Sequence, residues 1–494
     1  MAAACRFLAL TTLVFATANT QAQPYDASAW QRDYAQLKQT LERDYANLAW
    51  FASPEGGVNL PRLDRLTRQS LRAARNDGEA RQAIESFVRA FKDGHLSVLP
   101  DLAPSHQAAT AVTAKPFEAD DAAGACATLG FLPTARMAFS LPLESLPGFH
   151  LMGDGLATVY RTGLATRTDG PTIGVIRIQN FTNRAFPASC TQGYAALKAQ
   201  GAPITEKALR NAADDRWSSA LAEQLSALKA AGMTALLVDV GNNNGGDDSG
   251  DRFARLLTDL PVRSARLRMV ASPAAVAYAD QQLQSLDAGL KSNPTIEAAN
   301  ALTHARDFFV TAKSRASMPC DMAWVWSRQQ PWGGTGCTRL VDVGYAGGYE
   351  PSLPRGAFGD QNIAYRLSLP SSADDLWAMW TGPLYVMTDR RTFSSAEMFA
   401  AVVQDNHLGK TVGTLTGGAG CGFMNGEQVQ VLTHSRMRVR MPDCMRWRAD
   451  GRNETAGIAP DLPVAPTEGE DSRQLAQRLL DAVAADQRPA AATN

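Results

Sequence analysis

The chain has almost no excess of charge: 48 Lys and Arg against 49 Asp and Glu leave a formal net charge of −1 over 494 residues. That balance supplies neither the basic field that nucleic acid requires nor an acidic tail. Long apolar runs are missing too. Beyond the N-terminus none approaches the roughly 18 consecutive residues that mark a membrane helix. Histidine is scarce, with six in all, and neither Cys-x-x-Cys nor His-Glu-x-x-His occurs, so a zinc site has no support. No Gly-x-Ser-x-Gly is present, which removes the nucleophile elbow of an α/β-hydrolase. Gln404 stands where a phosphate loop ending in Gly409-Lys-Thr411 needs glycine, and the glycines of 417–422 lack dinucleotide spacing. No cofactor and no metal is expected. What remains, 45% hydrophobic and 20% charged, is an ordinary globular balance at a length that suits two or three units.

Residues 1–22 read as a secretory signal peptide, with Arg6, an apolar run over 7–16 and small residues before Gln23. Cleavage after Ala18 or Ala22 fits equally. A periplasmic or secreted protein without an integral membrane segment is the expectation. Losing Cys5 with the signal leaves Cys126, Cys190, Cys320, Cys337, Cys421 and Cys444, an even set suited to disulfides in an exported chain. Pairing sequence neighbours closes the shortest loops.

Residues 23–100 read as a small helical unit. Ser28 with Gln31 resembles a capping box, and Trp30, Tyr34, Leu37, Leu41, Tyr45 and Leu48 recur at helical spacing. A second helix surrounds Leu63 and Leu66. A third carries Ile84, Phe87, Val88 and Phe91 and is expected to close at Asp93-Gly94, with Gly94 as left-handed cap and His95 next. Residues 101–170 show little periodicity. From 171 to 465 apolar strands (173–178, 235–239, 383–387) alternate with amphipathic helices, the pattern of a largely parallel, helix-covered α/β sheet. Residues 272–370 interrupt it as an insertion. Alternation over 429–433 and 437–441 predicts a hairpin, and a terminal helix precedes an Ala/Pro tail within 466–494.

Three polar segments stand at the ends of core elements, where open α/β sheets place their sites. They are Asp93-Gly94-His95, the loop Gly241-Asn-Asn-Asn-Gly-Gly246, and Thr392-Phe-Ser-Ser-Ala-Glu397. Ser394 with Glu397 fits a capping box, yet a helix start also suits a nucleophile, because its dipole favours negative charge. Local pattern leaves both readings open, just as Gly245-Gly246 suits either a tight turn or a donor loop for an oxyanion.

The stretch from Pro383 through Ser394 and Glu397 to Asp405 resembles the nucleophile segment of the tail-specific, C-terminal-processing serine peptidases. The strand 173–178 with Phe181, the loop from Asp239 to Gly246, and Gly457-Ile-Ala-Pro-Asp461 are similar to further motifs of that family, in its order. The loop departs by carrying Gly241 in place of the family's arginine. The resemblance implies a ClpP/crotonase-like core and hydrolysis of protein or peptide substrates by Ser394. Members with a Ser–Lys dyad carry lysine at the position of Ala419, and no lysine follows Lys410, so that dyad is excluded. A Ser–His–Glu branch takes histidine from the N-terminal unit and glutamate from near the core's end. Here those are His95 and Glu454. The implied oxyanion donors are the backbone amides of Gly245 or Gly246 and of Ser395. No PDZ domain is recognisable in 101–170. The same scaffold also fits a non-catalytic protein binding a peptide or apolar ligand, or an esterase using the same triad.

Overall fold

The computed structural model describes residues 25–101, 117, 119–132, 137–156, 158–168, 170–318, 320–334, 336–424, 426 and 429–487. The signal-peptide reading and the loose tail lie outside them. In chain order the strands are β1 Ser97–Leu99, β2 Phe149–Asp154, β3 Arg161–Ala165, β4 Ile173–Arg177, β5 Ala235–Asp239, β6 Arg266–Val270, β7 Leu340–Tyr345, β8 Leu384–Thr388, β9 Lys410–Gly413, β10 Val429–Val431, β11 Arg438–Arg440, β12 Cys444–Trp447 and β13 Leu462–Pro463.

Seven of them form the main sheet, in the order β13-β9-β8-β5-β4-β3-β2. From β13 to β4 every pairing is parallel, while β3 and β2 add an antiparallel edge. The continuous apolar runs of β4, β5 and β8 follow from burial on both faces. Ile176, Leu236, Val238 and Val386 pack against the helices Glu206–Ala230 and Ser395–Asp405 through Trp217, Leu221, Leu225, Phe399 and Val402. Val175, Leu237, Tyr385 and Met387 face the terminal helix Ser472–Asp486 through Ala476, Leu479, Leu480 and Val483. This is the expected largely parallel, helix-covered α/β core. Strands β2 and β3 come from a region that showed no strand pattern, because edge strand β2 is half solvated and its alternation is blurred by a bulge.

Residues 25–89 form helices Ala27–Asp44, Leu48–Phe51, Leu60–Ala73 and Asp77–Arg89. Two local expectations need correction. The first helix is capped by Asp26, whose carboxylate accepts from the amides of Ser28 and Ala29, and not by Ser28. The fourth ends at Arg89, and Lys92, with φ 56°, takes the left-handed conformation expected of Gly94. Gly94 is constrained by space instead: a Cβ there would lie 2.9 Å from the Cβ of Ala419. The helical unit shares its core with Leu432, Met437, Val439 and Met441 of the hairpin segment and with Met445 of β12.

The hairpin forms as expected from β10 and β11, and β1, directly after His95, pairs with β11 as a third strand. Residues 272–370 contain the helices Pro273–Leu290 and Ile296–Ala316, packed on β6 and β7, and these two strands join β12 in a separate antiparallel sheet. Cysteines pair as neighbours: Cys126–Cys190, Cys320–Cys337 and Cys421–Cys444, with Cα separations of 5.9, 6.1 and 5.5 Å. Cys126–Cys190 spans 64 residues and pins the helix Ala122–Thr128 to Pro187–Ala199. For a loop of that length the chain-entropy contribution is about 4 kcal/mol. Replacing both cysteines by alanine is expected to lower unfolding stability by about that amount, read from denaturant titrations of the oxidised protein.

Candidate functional site

Ser394 sits between β8 and the helix Ser395–Asp405, with φ 56° and ψ −117°. An L-residue occupies such a conformation only when its surroundings hold it there. Its N–H donates to the Glu397 carboxylate at 3.0 Å. Its carbonyl accepts from the Met398 N–H at 3.0 Å and from the Arg446 guanidinium at 3.0 Å. Glu397, expected only as a cap partner, is wholly buried and does far more than cap. Its carboxylate also accepts from the Thr416 hydroxyl at 2.6 Å and from the amides of Gly418, Ala419 and Gly420 at 2.7, 2.9 and 3.1 Å. Burial and the Glu454 carboxylate push its pKa up to about 7, against the pull of those donors.

His95 reaches the same place from the N-terminal unit. Asp93 fixes its turn: one carboxylate oxygen accepts the His95 N–H at 2.8 Å, and the other takes the Tyr45 hydroxyl at 2.7 Å and the Asn47 amide at 3.0 Å. Asn47 in turn accepts from Asn453, the neighbour of Glu454, at 3.0 Å. The ring's Nδ1 lies 3.0 Å from the Ala419 carbonyl. A carbonyl only accepts, so Nδ1 carries the proton and Nε2 is left with a free lone pair. A Cβ on Gly422 would stand 2.9 Å from Nε2, so glycine there keeps that edge of the ring clear. Desolvation lowers the His95 pKa, Asp93 and the Ala419 carbonyl oppose this, and Arg446 and Arg440 reinforce it.

Ser394, His95, Gly246, Ser395 and Arg446 line one cleft of about 550 Å³. Glu454 is not among its walls. Its carboxylate is buried and paired with Arg446, through Nε and through a second bond at 3.3 Å. The structure thus brings Ser394 and His95 together and holds Glu454 one residue back.

Of the three oxyanion candidates, the Gly245 N–H is already donated to the Asn243 side chain at 2.8 Å and is unavailable. The N–H groups of Gly246 and Ser395 have no hydrogen-bond partner among the described residues. Gly245 is required by space: its φ is 88°, and a Cβ would lie 2.6 Å from that of Ser394. Where Gly241 replaces the arginine of the motif, Asp239 is met from the next strand by Arg177, whose Nε donates to it at 2.7 Å.

Sequence reasoning missed Arg446, Asn243, Asp93 and the Ala419 carbonyl as parts of this site. Asp93 and Asn243 had a signal, since they lie in the singled-out Asp-Gly-His segment and the 241–246 loop; Arg446 and a backbone carbonyl had none.

The model of peptidase family S41 matches residues 172–464, more than half of the chain. Among solved structures the chain is similar to mature CPAF, with 15% identity over 92% of this chain and 96% of that one and a TM-score of 0.56. The complex of mature CPAF with lactacystin gives 15% identity, 92% and 97% coverage and a TM-score of 0.55. The photosystem II D1 C-terminal processing protease gives 14%, 92% and 98%, with a TM-score of 0.34. No curated protein matches the chain.

Replacing Glu397 with Gln turns an NH2 group toward two or three donors that now meet an oxygen. Leaving buried donors unsatisfied costs about 1–3 kcal/mol. Because the folded pKa of Glu397 lies above its unfolded value, the wild type loses stability as pH rises from about 4.5 to about 7. The deficit of Glu397→Gln in denaturant titrations is therefore expected to be largest below about pH 5 and to shrink toward about pH 7.

Proposed function

Because the chain belongs to peptidase family S41 and is a serine-type peptidase, we propose that it is an exported endopeptidase in which Ser394 is the nucleophile and His95 the general base. The observation that carries this reading is the bond from His95 Nδ1 to the Ala419 carbonyl, which leaves Nε2 as acceptor in the cleft that Ser394 lines. His95 takes the Ser394 hydroxyl proton as the oxygen attacks the scissile carbonyl. The tetrahedral oxyanion accepts from the Gly246 and Ser395 amides. Imidazolium then gives its proton to the leaving amine, and an acyl-enzyme remains. Water, deprotonated by His95, hydrolyses the ester and frees Ser394.

Glu454 completes the group as its acid. Since its carboxylate lies on Arg446 and the ring is oriented by Ala419 and Asp93, its part is electrostatic support of the cleft, not direct alignment of the imidazole. Peptide or protein chains are the substrates, as for the family. Export rests on the signal-peptide pattern and on three disulfides, which persist in oxidising compartments.

Intact-mass labelling with a fluorophosphonate tests the nucleophile. One adduct is expected on the mature protein, mapped to Ser394, absent in Ser394→Ala and strongly slowed in His95→Ala. Peptidase turnover in either variant is expected to fall by about 10³-fold or more. Adduct formation that persists in Ser394→Ala, or a folded wild type without adduct, contradicts the assignment. Hydrolysis of ester but not peptide substrates would instead favour an esterase. Because burial lowers the His95 pKa, the acid limb of kcat/KM is expected below the pH of about 6.5 at which free imidazole titrates.

A further inference from the structure

The Arg446 guanidinium touches two things: the carbonyl of Ser394 and the carboxylate of Glu454. It belongs to β12, and Cys444, two residues earlier on the same face of that strand, is bonded to Cys421. Cys421 follows closely on Ala419, the residue that orients His95. One face of one strand therefore braces both the base's loop and the nucleophile.

We propose that Arg446 is a positioning residue for the reaction, holding the Ser394 carbonyl so that Glu454 acts on the nucleophile through it. This rests on the reading of Ser394 and His95 given above. Ser394 keeps its strained conformation because both its peptide groups are held. Glu397 grips the N–H, while Met398 and Arg446 grip the carbonyl. Of these, Arg446 alone reaches in from outside the helix that Ser394 begins. Only 5% exposed, it needs a counter-charge, which Glu454, itself 1% exposed, provides. Without Glu454 the guanidinium would be drawn instead toward Asp248 or Glu397, the other carboxylates whose charges it feels. Arg446 also bears on the base, which it faces together with Arg440 and Asp93. A cation at that place favours neutral imidazole.

The test compares Arg446→Met, Arg446→Lys, Glu454→Gln and the Arg446→Met/Glu454→Gln double variant with wild type. It reads fluorophosphonate labelling rate, kcat and KM on one peptide, the pH profile and thermal unfolding. Arg446→Met is expected to lose kcat and labelling rate together by about 100-fold, the scale of a misplaced reacting group, with KM changed less than about threefold. Its acid limb should move to higher pH, because a cation near His95 is gone. Arg446→Lys should recover part of the rate, since one ammonium can meet one of the two partners. Glu454→Gln should cost little more in the Arg446→Met background than the single variant already does.

Wild-type kcat and acid limb in folded Arg446→Met would overturn the proposal. So would full additivity of the two substitutions, because Glu454 would then act on its own. Should Arg446→Met fail to fold, Arg446→Lys decides: unchanged kcat with lowered thermal stability means a structural brace only, and lowered kcat with unchanged KM supports positioning. A wild type that is never labelled at Ser394 overturns the underlying reading of the nucleophile, and that is seen before any variant is compared.

Discussion

Everything at this site hangs from one buried carboxylate. Glu397 accepts five hydrogen bonds from two segments that lie on different elements: the Ser394 amide at the start of its own helix, and Thr416, Gly418, Ala419 and Gly420 in the loop after β9. A carboxylate, with about four lone-pair sites, is the side chain that comes nearest to meeting such a set of donors. The three loop amides point at one acceptor, so their carbonyls are turned elsewhere, and that of Ala419 meets His95. One carboxylate thereby sets the backbone of Ser394, the proposed nucleophile, and the tautomer of His95, the proposed base. Its cost in desolvation is visible in its raised pKa, and the donors offset that cost.

The second constraint is assembly over long sequence distances. His95 meets Ala419 across 324 residues, and Asn47 meets Asn453 across 406. These contacts form only when the N-terminal helical unit has docked on the hairpin segment through β1 and β11 and through the apolar cluster of Leu432, Met437, Val439 and Met441. The insertion contributes by the same logic. Its own strand β7 pairs with β6 just ahead of it, β12 joins the other edge of β6, and β12 carries Arg446 and Cys444 to the site.

What was legible in the residues, and what was not, divides along physical lines. The doubly buried strands β4, β5 and β8 and the amphipathic helices were plain, because burial imposes a run or a period that one chain segment carries by itself. The six cysteines pair as sequence neighbours, although 64 residues and three strands separate Cys126 from Cys190. Strand β2 was missed because a solvated edge leaves little apolar alternation, and the buried β3 because Arg161, Thr162 and Gly163 give it no apolar run. The left-handed turn was assigned to Gly94 on composition, yet Lys92 adopts it, and Gly94 is glycine because Ala419 crowds it. Ser394, His95 and Glu454 came from motif resemblance, which identifies residue types. It could not foresee that Gly245 spends its amide on Asn243, or that Glu454 faces Arg446, since both depend on where backbone dipoles point in the folded chain.

The departure at Ala419 has a packing reason. Gly94 lies against it so closely that a Cβ on the glycine would be 2.9 Å from the alanine's own. A lysine at 419 would have to thread its side chain through the turn that holds His95. Conversely, a turn with any side chain at 94 could not come near enough for His95 to reach the Ala419 carbonyl. The small pair at 94 and 419 is thus what lets a histidine from the N-terminal unit stand where a lysine from the core would otherwise extend. A longer side chain at 419 and any side chain at 94 therefore exclude each other sterically at this position.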